Sequence, residues 1–357
     1  MSRPTLGSEI QPWNAAEFIS ALRKAAPALS NKDLVPILSC FCFSNDEVVA
    51  YDDVVAMIVP CKPPFEGAVR GNLVLNFLAT VPSEALKVTV KDTEVTFRAG
   101  AARLVTGLTP KEDFVFEVPQ RTEALELVMN SDLRNALNQA LVTMGVDPAH
   151  PWRMGITVDF QADYIALYTT DNFTCGQQFI MTAVPESLVG KQVWMPPRLC
   201  QLLMDYPCDE GTIYLTPDWI EVEFKDGSRL FSRTITNVDV VKYQETFAPI
   251  QELLEAAGAT EITKDFNSAI DRSLIILQSE TDKKIGFEIK DGQLTLTGKS
   301  ELGLVDDQLP VPGHNDVSVA SSPDLIKRCI EGMALISFTN RCVVVREGYS
   351  TRLIRLL

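Results

Sequence analysis

The sequence predicts an α+β fold in which one unit of helix, hairpin, helix and strands occurs three times. Two observations predict it. Three amphipathic helices carry apolar residues at matching positions, and each is followed by two strands that meet at a polar turn. The repeat length of about 120 residues is that of a domain rather than of a solenoid repeat. We therefore expect three domains, at residues 1–120, 121–248 and 249–357.

The repeated helices superpose without gaps. They read AAEFISALRKAAPAL, SDLRNALNQALVTMG and KDFNSAIDRSLIIL, and the second has a capping residue at Ser131 or Asp132. Their aligned apolar positions are Phe18, Leu133 and Phe266; Ala21, Ala136 and Ala269; Leu22, Leu137 and Ile270; Ala25, Ala140 and Ser273. A shorter helix is expected later in each repeat, over 72–80, 196–204 and 322–330.

The strands follow a common plan as well. The hairpin turns are Asn45-Asp46, Gln161-Ala162-Asp163 and Lys290-Asp291-Gly292, and the second strands end at Asp52-Asp53, Asp171-Asn172 and Ser300-Glu301. Further strand pairs follow the shorter helices: ALKVTV with EVTFRAG, GTIYLT with WIEVEF, and ALISF with CVVVRE. Three unrelated α+β domains could share these features by coincidence, but the constant order of elements favours a true repeat.

Composition describes a soluble globular protein of 357 residues, with 46% hydrophobic and 22% charged residues. The N-terminus lacks the apolar core of a signal peptide, and no run is long enough to span a membrane. Eight cysteines occur without a CxxC pair, mostly within apolar strands or helices. These features predict a cytoplasmic protein with reduced cysteines.

The distribution of charge matters more than the net charge of −15. Acidic residues concentrate in turns, whereas five of the six recurring helices carry at least one cation. These cations are either ordinary solvated helix faces or, if the helices are arranged symmetrically, a basic patch.

Catalytic motifs are not found. The two histidines, His150 and His314, lie in turns rich in proline and glycine, and neither has metal-ligand spacing to other donors. The phosphate-binding GxxxxGK[ST] loop and the GxSxG elbow do not occur. We expect no enzyme activity, no cofactor and no metal site; the alternative is an enzyme whose site these motifs do not reveal.

Several phrases resemble the bacterial DNA polymerase III β subunit, the sliding clamp. LVPILSCFCF resembles its LPILSNVLL, LTPKEDFVFE its LPAEDFP, IALYTTDNFTCG its L-ATDGHRLA corner, and ELGLVDDQLPV its ELGEAEEELPV. The chain ends in RLIRLL, where the family has a short apolar and basic tail. The resemblance covers nearly the whole chain without an identical phrase, as in a divergent member, such as one encoded by a phage.

The resemblance implies three DNA-clamp domains, each with two helices packed on antiparallel sheets, and a head-to-tail homodimer closed into a ring. Such a ring encircles double-stranded DNA without reading its sequence and tethers the polymerase and the clamp loader through short linear motifs. Helix cations would contact phosphates weakly, which permits sliding. The implied DNA-binding residues are Arg23, Lys24, Arg134, Arg198, Arg272 and Lys327, together with His150 and Arg153 from a basic loop.

In the family, partner peptides enter an apolar pocket between the second and third domains. The matching positions here are Met154, Thr170, Phe173, Cys175, Val238, Lys242, Tyr243 and Leu353. The family's GHRL is replaced by residues 172–175, so a cation is lost and the ring of Phe173 is gained. This predicts a different peptide preference, unless Phe173 and Tyr243 are ordinary core aromatics.

Ring closure in the family joins an apolar edge of the first domain to the start of the third. The matching residues are Leu104 and the pair Ile276-Leu277. The alternative is a clamp-like monomer that has lost closure and acts as an adaptor or decoy for replication proteins.

Overall fold

The computed structural model describes residues 14–32, 34–82, 86–121, 125–207, 210–216, 218–234 and 243–357. The chain divides into two compact units. Unit 1 comprises residues 1–130 and 201–234, and unit 2 comprises residues 131–200 and 235–357. Each unit therefore combines stretches that are distant in the sequence.

The β-strands alternate with short polar turns along both units. In chain order they are β1 (Cys40–Ser44), β2 (Glu47–Tyr51), β3 (Val55–Pro60), β4 (Gly67–Arg70), β5 (Leu86–Lys91), β6 (Glu94–Ala99), β7 (Ala102–Gly107), β8 (Leu125–Met129), β9 (Ile156–Phe160), β10 (Tyr164–Thr170), β11 (Thr174–Met181), β12 (Gln192–Met195), β13 (Gly211–Leu215), β14 (Trp219–Phe224), β15 (Arg229–Arg233), β16 (Thr260–Glu261), β17 (Ile285–Lys290), β18 (Gln293–Ser300), β19 (Gly303–Pro310), β20 (Val317–Ser321), β21 (Leu335–Phe338), β22 (Cys342–Glu347) and β23 (Ser350–Arg355).

The helices occur where the amphipathic spacing predicts them, with two additions. They are α1 (Ala15–Ala25), α2 (Gly71–Leu78), α3 (Ser131–Leu141), α4 (Pro197–Asp205), α5 (Tyr243–Phe247), α6 (Ile250–Ala257), α7 (Lys264–Ile276) and α8 (Pro323–Ile330). All six recurring helices predicted from the sequence are confirmed. The boundary between the two units falls within α4.

Unit 1 contains an antiparallel sheet in the order β4-β1-β2-β3-β15-β14-β13-β8 and a three-stranded sheet β5-β6-β7. Helix α1 begins where the side chain of Asn14 accepts hydrogen bonds from the backbone N–H groups of Ala16 and Glu17. It packs on β2 and β3. Its inward face buries Phe18 and Leu22 fully, as the helical spacing predicts.

Unit 2 repeats this plan with a sheet in the order β12-β9-β10-β11-β23-β22-β21-β16 and a second sheet β19-β18-β17-β20. Helix α3 packs on β9, β10 and β11, and α7 packs on β18, β19 and α8. The side chain of Thr263 caps α7 by accepting the N–H of Phe266.

Equivalent seams join the halves of the two long sheets. In unit 1, β3 pairs with β15 and Ala56 lies opposite Phe231. In unit 2, β11 pairs with β23 and Cys175 lies opposite Leu353. Each seam joins strands from two of the predicted repeats, while the domain boundaries at residues 120 and 248 stay a prediction.

The polar corners before the two seams are confirmed in detail. The side chain of Asp52 accepts the backbone N–H groups of residues 54 and 55, and Asp171 accepts those of residues 173 and 174. The next residues, Asp53 and Asn172, have φ of 82° and 76°. Aspartate and asparagine tolerate this left-handed conformation better than other non-glycine residues, which explains their presence here.

Two segments outside the elements predicted from the repeat, VPQRTEALELV and APIQELLEAAGATEITKD, also form regular structure. The first contains β8, which pairs with β13. The second contains α6, preceded by the short α5. The apolar spacing of Phe247, Ile250 and Leu254 was the signal for these helices, and all three side chains are buried.

Candidate nucleic-acid interface and partner pocket

The helix cations of unit 1 lie in the last turn of α1. Arg23 is exposed, whereas Lys24 donates to a carboxylate oxygen of Asp226 at 2.6 Å. Burial alone would raise the pKa of Asp226, but the hydrogen bond from Lys24 lowers it below its ordinary value. Of the two cations, Arg23 is thus the one available to an external anion.

The remaining predicted cations on helices also have neighbours within the chain. Arg272 donates to both carboxylate oxygens of Asp307, at 2.5 and 3.0 Å, and Lys327 donates to Asp271 at 2.5 Å. Arg134 and Arg198 are half-buried and have interactions of their own. The structure therefore presents these cations as paired side chains and not as bare charges.

The predicted basic loop carries a hydrogen bond between a histidine and an aspartate, and a stacked guanidinium. The imidazole Nδ1 of His150 lies 2.9 Å from Asp147, and this hydrogen bond lowers the pKa of the carboxyl. The guanidinium of Arg153 lies 4.3 Å from the centre of the Trp152 ring. Stacking fixes the direction of Arg153 and leaves its charge unneutralised.

Exposed ion pairs of this kind contribute at most about 1 kcal/mol each, because water and salt screen them. A phosphate can therefore displace the carboxylate of Asp271 or Asp307 at small cost. The paired arrangement therefore weakens contact with an external anion without preventing it.

The predicted partner pocket is brought together at the β11–β23 seam of unit 2. Cys175 lies opposite Leu353, and its thiol lies 3.2 Å from the hydroxyl of Thr170. Both Cys175 and Leu353 belong to a cluster that includes Tyr243, whose ring stacks on Tyr168 at 5.0 Å. These four of the eight predicted residues thus share one site.

Tyr243 is only 4% exposed, and burial raises its pKa well above the ordinary value. Leu353 is buried too, and the cluster that covers it includes Phe247, Ile250 and Leu254 from α5 and α6. The interpretation of Tyr243 as a core aromatic therefore holds in this structure.

Phe173 behaves in the opposite way, because 51% of its surface is exposed. Asp171 fixes the corner by accepting its backbone N–H at 2.9 Å, and the N–H of Arg355 donates to its carbonyl at 2.9 Å. A second oxygen of Asp171 accepts Arg328 of α8 at 2.5 Å. A firmly held corner thus presents an aromatic ring to solvent.

Among the described residues of the predicted pocket, Met154 is not part of this cluster. Met154 ends a single 3-10 turn, Pro151–Met154, and is half-buried. Val238 and Lys242 lie outside the described residues. What the sequence reasoning missed is the covering by α5 and α6.

The predicted closure residues lie on or beside edge strands. Leu104 is half-buried on β7, at one edge of the β5-β6-β7 sheet. Ile276 ends α7 and is half-buried, but Leu277 is 1% exposed and packs inside its own unit. Leu302 and Leu304, beside and on the edge strand β19, expose 75% and 55% of their surfaces and were not anticipated.

The described part of the chain contains no group of three or more His, Cys, Asp or Glu side chains that could hold a metal ion. The seven described cysteines are free, and burial raises the pKa of Cys42 to about 11 and of Cys200 to about 12. Both thiols therefore stay protonated at neutral pH. No helix among the described residues is long and apolar enough to cross a membrane.

Two long antiparallel sheets, paired helices at repeated positions and polar corners before each seam define the fold of DNA sliding clamps. The DNA polymerase sliding clamp of Bacillus subtilis superposes with a TM-score of 0.83 at 16% identity, covering 97% of this chain and 98% of that one. The β subunit of DNA polymerase III from Thermotoga maritima gives 0.81 at 13% identity, covering 97% and 98%. These likenesses confirm the predicted clamp fold.

Sequence comparison points to the same class of protein. The β sliding clamp of Treponema pallidum is 22% identical over 303 residues, which span 79% of this chain and 77% of that protein. No protein-family model matches the chain. The resemblance to bacterial sliding clamps is therefore confirmed, and its low identity fits a divergent member.

Proposed function

We propose that the chain is a DNA sliding clamp with no catalytic activity of its own, which encircles duplex DNA as a head-to-tail homodimer and tethers a polymerase and a clamp loader. The observation that carries this proposal is the clamp fold over 97% of the chain. A clamp acts through its shape, so a fold shared over the whole length is the relevant likeness.

Charge complementarity between two edge strands supports closure. The edge strand β7 exposes Arg103, and the other two strands of its sheet expose Arg98 on β6 and Lys87 on β5, whereas β19 and the turn before it expose Glu301 and Asp306. Apolar side chains, Leu104 on one edge and Leu304 on the other, lie among these charges. Edge strands with opposite charge favour pairing between copies over pairing of like edges.

Weak phosphate contacts suit this function. Arg23 and Arg153 carry charge without a carboxylate partner among the described residues. Arg272 and Lys327 can exchange their carboxylate partners for a phosphate at small cost. Such contacts are independent of base sequence and weaken with salt. Retention on DNA would therefore depend on ring closure and not on affinity.

Partner recognition would centre on Phe173, because it is the exposed member among the described residues of the predicted pocket. A peptide that reaches Leu353 has to displace part of the covering formed by Tyr243 and α5. We expect a preference for apolar peptide residues that pack on the Phe173 ring, and a low affinity for the peptides that suit the family's usual pocket.

The alternative, a monomeric adaptor or decoy, is favoured by two observations. Tyr243 and Leu353 are covered, and three of the predicted helix cations, Lys24, Arg272 and Lys327, are paired with carboxylates. It requires that the edges at β7 and β19 stay unpaired between copies. The oligomeric state therefore separates the two functions.

The test is the native mass of the chain at micromolar concentration, with electron-microscope images of the same sample. We expect a species of twice 39.5 kDa, seen as a pierced ring. Leu304→Asp should yield the monomer, while Val146→Asp, at a more exposed position of unit 2, should leave the dimer intact. A monomer at every concentration would favour the adaptor instead.

A further inference from the structure

A cavity of about 270 Å³ lies in unit 1, beneath the last turn of α1 and beside the last turn of α4. Met57 and Leu230, which lie opposite each other at the β3–β15 seam, line it together with Ala28, Leu202 and Pro207. An apolar cavity of about 150 Å³ binds benzene, so this one accommodates a ring system of the size of indole.

The walls of the cavity are held in place by one carboxylate. Asp226 accepts Lys24 Nζ at 2.6 Å, the hydroxyl of Tyr206 at 3.1 Å and the backbone N–H of Ser228 at 3.0 Å. The ring of Tyr206 also stacks on Phe224, with centroids 3.9 Å apart. These contacts tie α1, the end of α4 and the β14–β15 turn together, so the cavity is preorganised.

Two charged groups at the cavity are not neutralised. Arg23 and Asp205 both line it, both are exposed, and neither forms a salt bridge within the described part of the chain. A guanidinium offers donors to a carbonyl oxygen, and a carboxylate accepts from an N–H group. A single backbone amide of a ligand supplies both the carbonyl oxygen and the N–H group.

The equivalent position in unit 2, at the β11–β23 seam, is occupied by a side chain. There Gly176 and Arg352 replace Met57 and Leu230, and the Arg352 side chain is 0% exposed. Its guanidinium donates to the carbonyls of Cys329 and Glu331, at the end of α8, and to Gln139 of α3. A long side chain thus fills this site in unit 2.

We propose that the cavity in unit 1 binds a peptide segment through one bulky apolar side chain, with the adjoining backbone amide held between Arg23 and Asp205. At about 270 Å³ the cavity is smaller than typical cofactor pockets and fits one anchor residue. This site lies in unit 1 and is separate from the predicted pocket at Phe173 in unit 2.

The test uses N-acetyl-tryptophanamide as the probe and the ¹³C-methyl signal of Met57 as the readout, assigned with Met57→Leu. Binding should shift this signal, and 3-ethylindole, which lacks the amide, should bind about fivefold to tenfold more weakly. Arg23→Gln should reduce the affinity for the amide probe by a similar factor without changing that for 3-ethylindole.

Ser20→Phe blocks the cavity from an exposed position of α1 and should abolish the shift. Ala16→Phe places the same ring elsewhere on the exposed face of α1 and should leave it unchanged. An unmoved Met57 signal at the solubility limit of the probe, or equal binding by 3-ethylindole, would overturn the proposal. The measurement needs no DNA, so it stands or falls independently of the clamp function.

Discussion

At the β3–β15 seam of unit 1, Leu230 lies opposite Met57, whereas at the β11–β23 seam of unit 2, Arg352 lies opposite Gly176. Each seam follows an aspartate corner of the same type, at Asp52 or Asp171, and helices pack near the strands of both seams. One seam leaves an apolar cavity, and the other encloses a charged side chain. The same backbone plan thus permits either a binding site or a polar anchor, depending on two side chains.

Among substitutions that distinguish the two seams, Arg352→Met is expected to cause the largest loss of stability. Losing the guanidinium leaves the buried carbonyls of Cys329 and Glu331 and the Gln139 oxygen without this donor, and should reduce the free energy of unfolding by about 3 kcal/mol. Urea denaturation combined with hydrogen exchange in unit 2 measures it. Arg355→Met, on the same strand but exposed, is the control; equal losses would refute the anchoring role.

A smaller effect is expected from Gly176→Ala. An added Cβ would collide with the hydroxyl of Thr143 and lie 3.0 Å from that of Thr169, two groups that are buried and hydrogen-bonded to each other. The expected loss in unfolding free energy is about 1–3 kcal/mol. Gly286→Ala is the matched control, since its nearest atom, in Thr297, lies 3.8 Å away. If both variants unfold at the same urea concentration, the close packing at Gly176 is not needed.

The two corners should differ by about 1 kcal/mol when their aspartates are changed to asparagine. Asp171→Asn retains an oxygen for the turn but loses the charge that pairs with Arg328 at 2.5 Å. Asp52→Asn loses only charge at an otherwise similar turn. Thermal unfolding of both variants measures the difference. An equal shift would mean that the pair with Arg328 contributes nothing.

The smallest effect is expected from the buried histidine of unit 2, His314, at mildly acidic pH. Burial lowers the pKa of His314, so the unfolded chain takes up a proton at a higher pH than the folded one does. Stability should therefore fall as the pH decreases below about 6.5. His314→Gln should flatten this part of the profile of unfolding free energy against pH, and an unchanged profile would contradict the role of His314.

Local features were predictable from the sequence, because residues such as Asp52 and Asp171 act on their own turns. The recurring helices were predictable for the same reason, since spacing alone marks their buried faces. The packing of side chains at the seams was not predictable in this way. Arginine is seldom fully buried, so the sequence alone favours an exposed Arg352. Its acceptors lie on α3 and at the end of α8, 213 and 23 or 21 residues away along the chain.

The candidate sites were predictable only in part, for a related reason. Register placed Cys175 beside Leu353, and the corner motif placed Phe173. Burial of Tyr243, the first residue of α5, against Tyr168 depends on packing between distant segments, which no motif encodes. Ion pairs such as Arg272 with Asp307 likewise follow from the contact of α7 with β19.

Topological retention on DNA tests the central claim most directly. The chain is allowed to thread onto linear duplex DNA, the ends are then blocked with bound protein, and the sample is washed with high salt, which removes phosphate contacts. A closed ring should stay on the blocked DNA and leave as soon as a nuclease cuts it. Loss in the salt wash to the same extent with blocked and free ends would contradict the clamp.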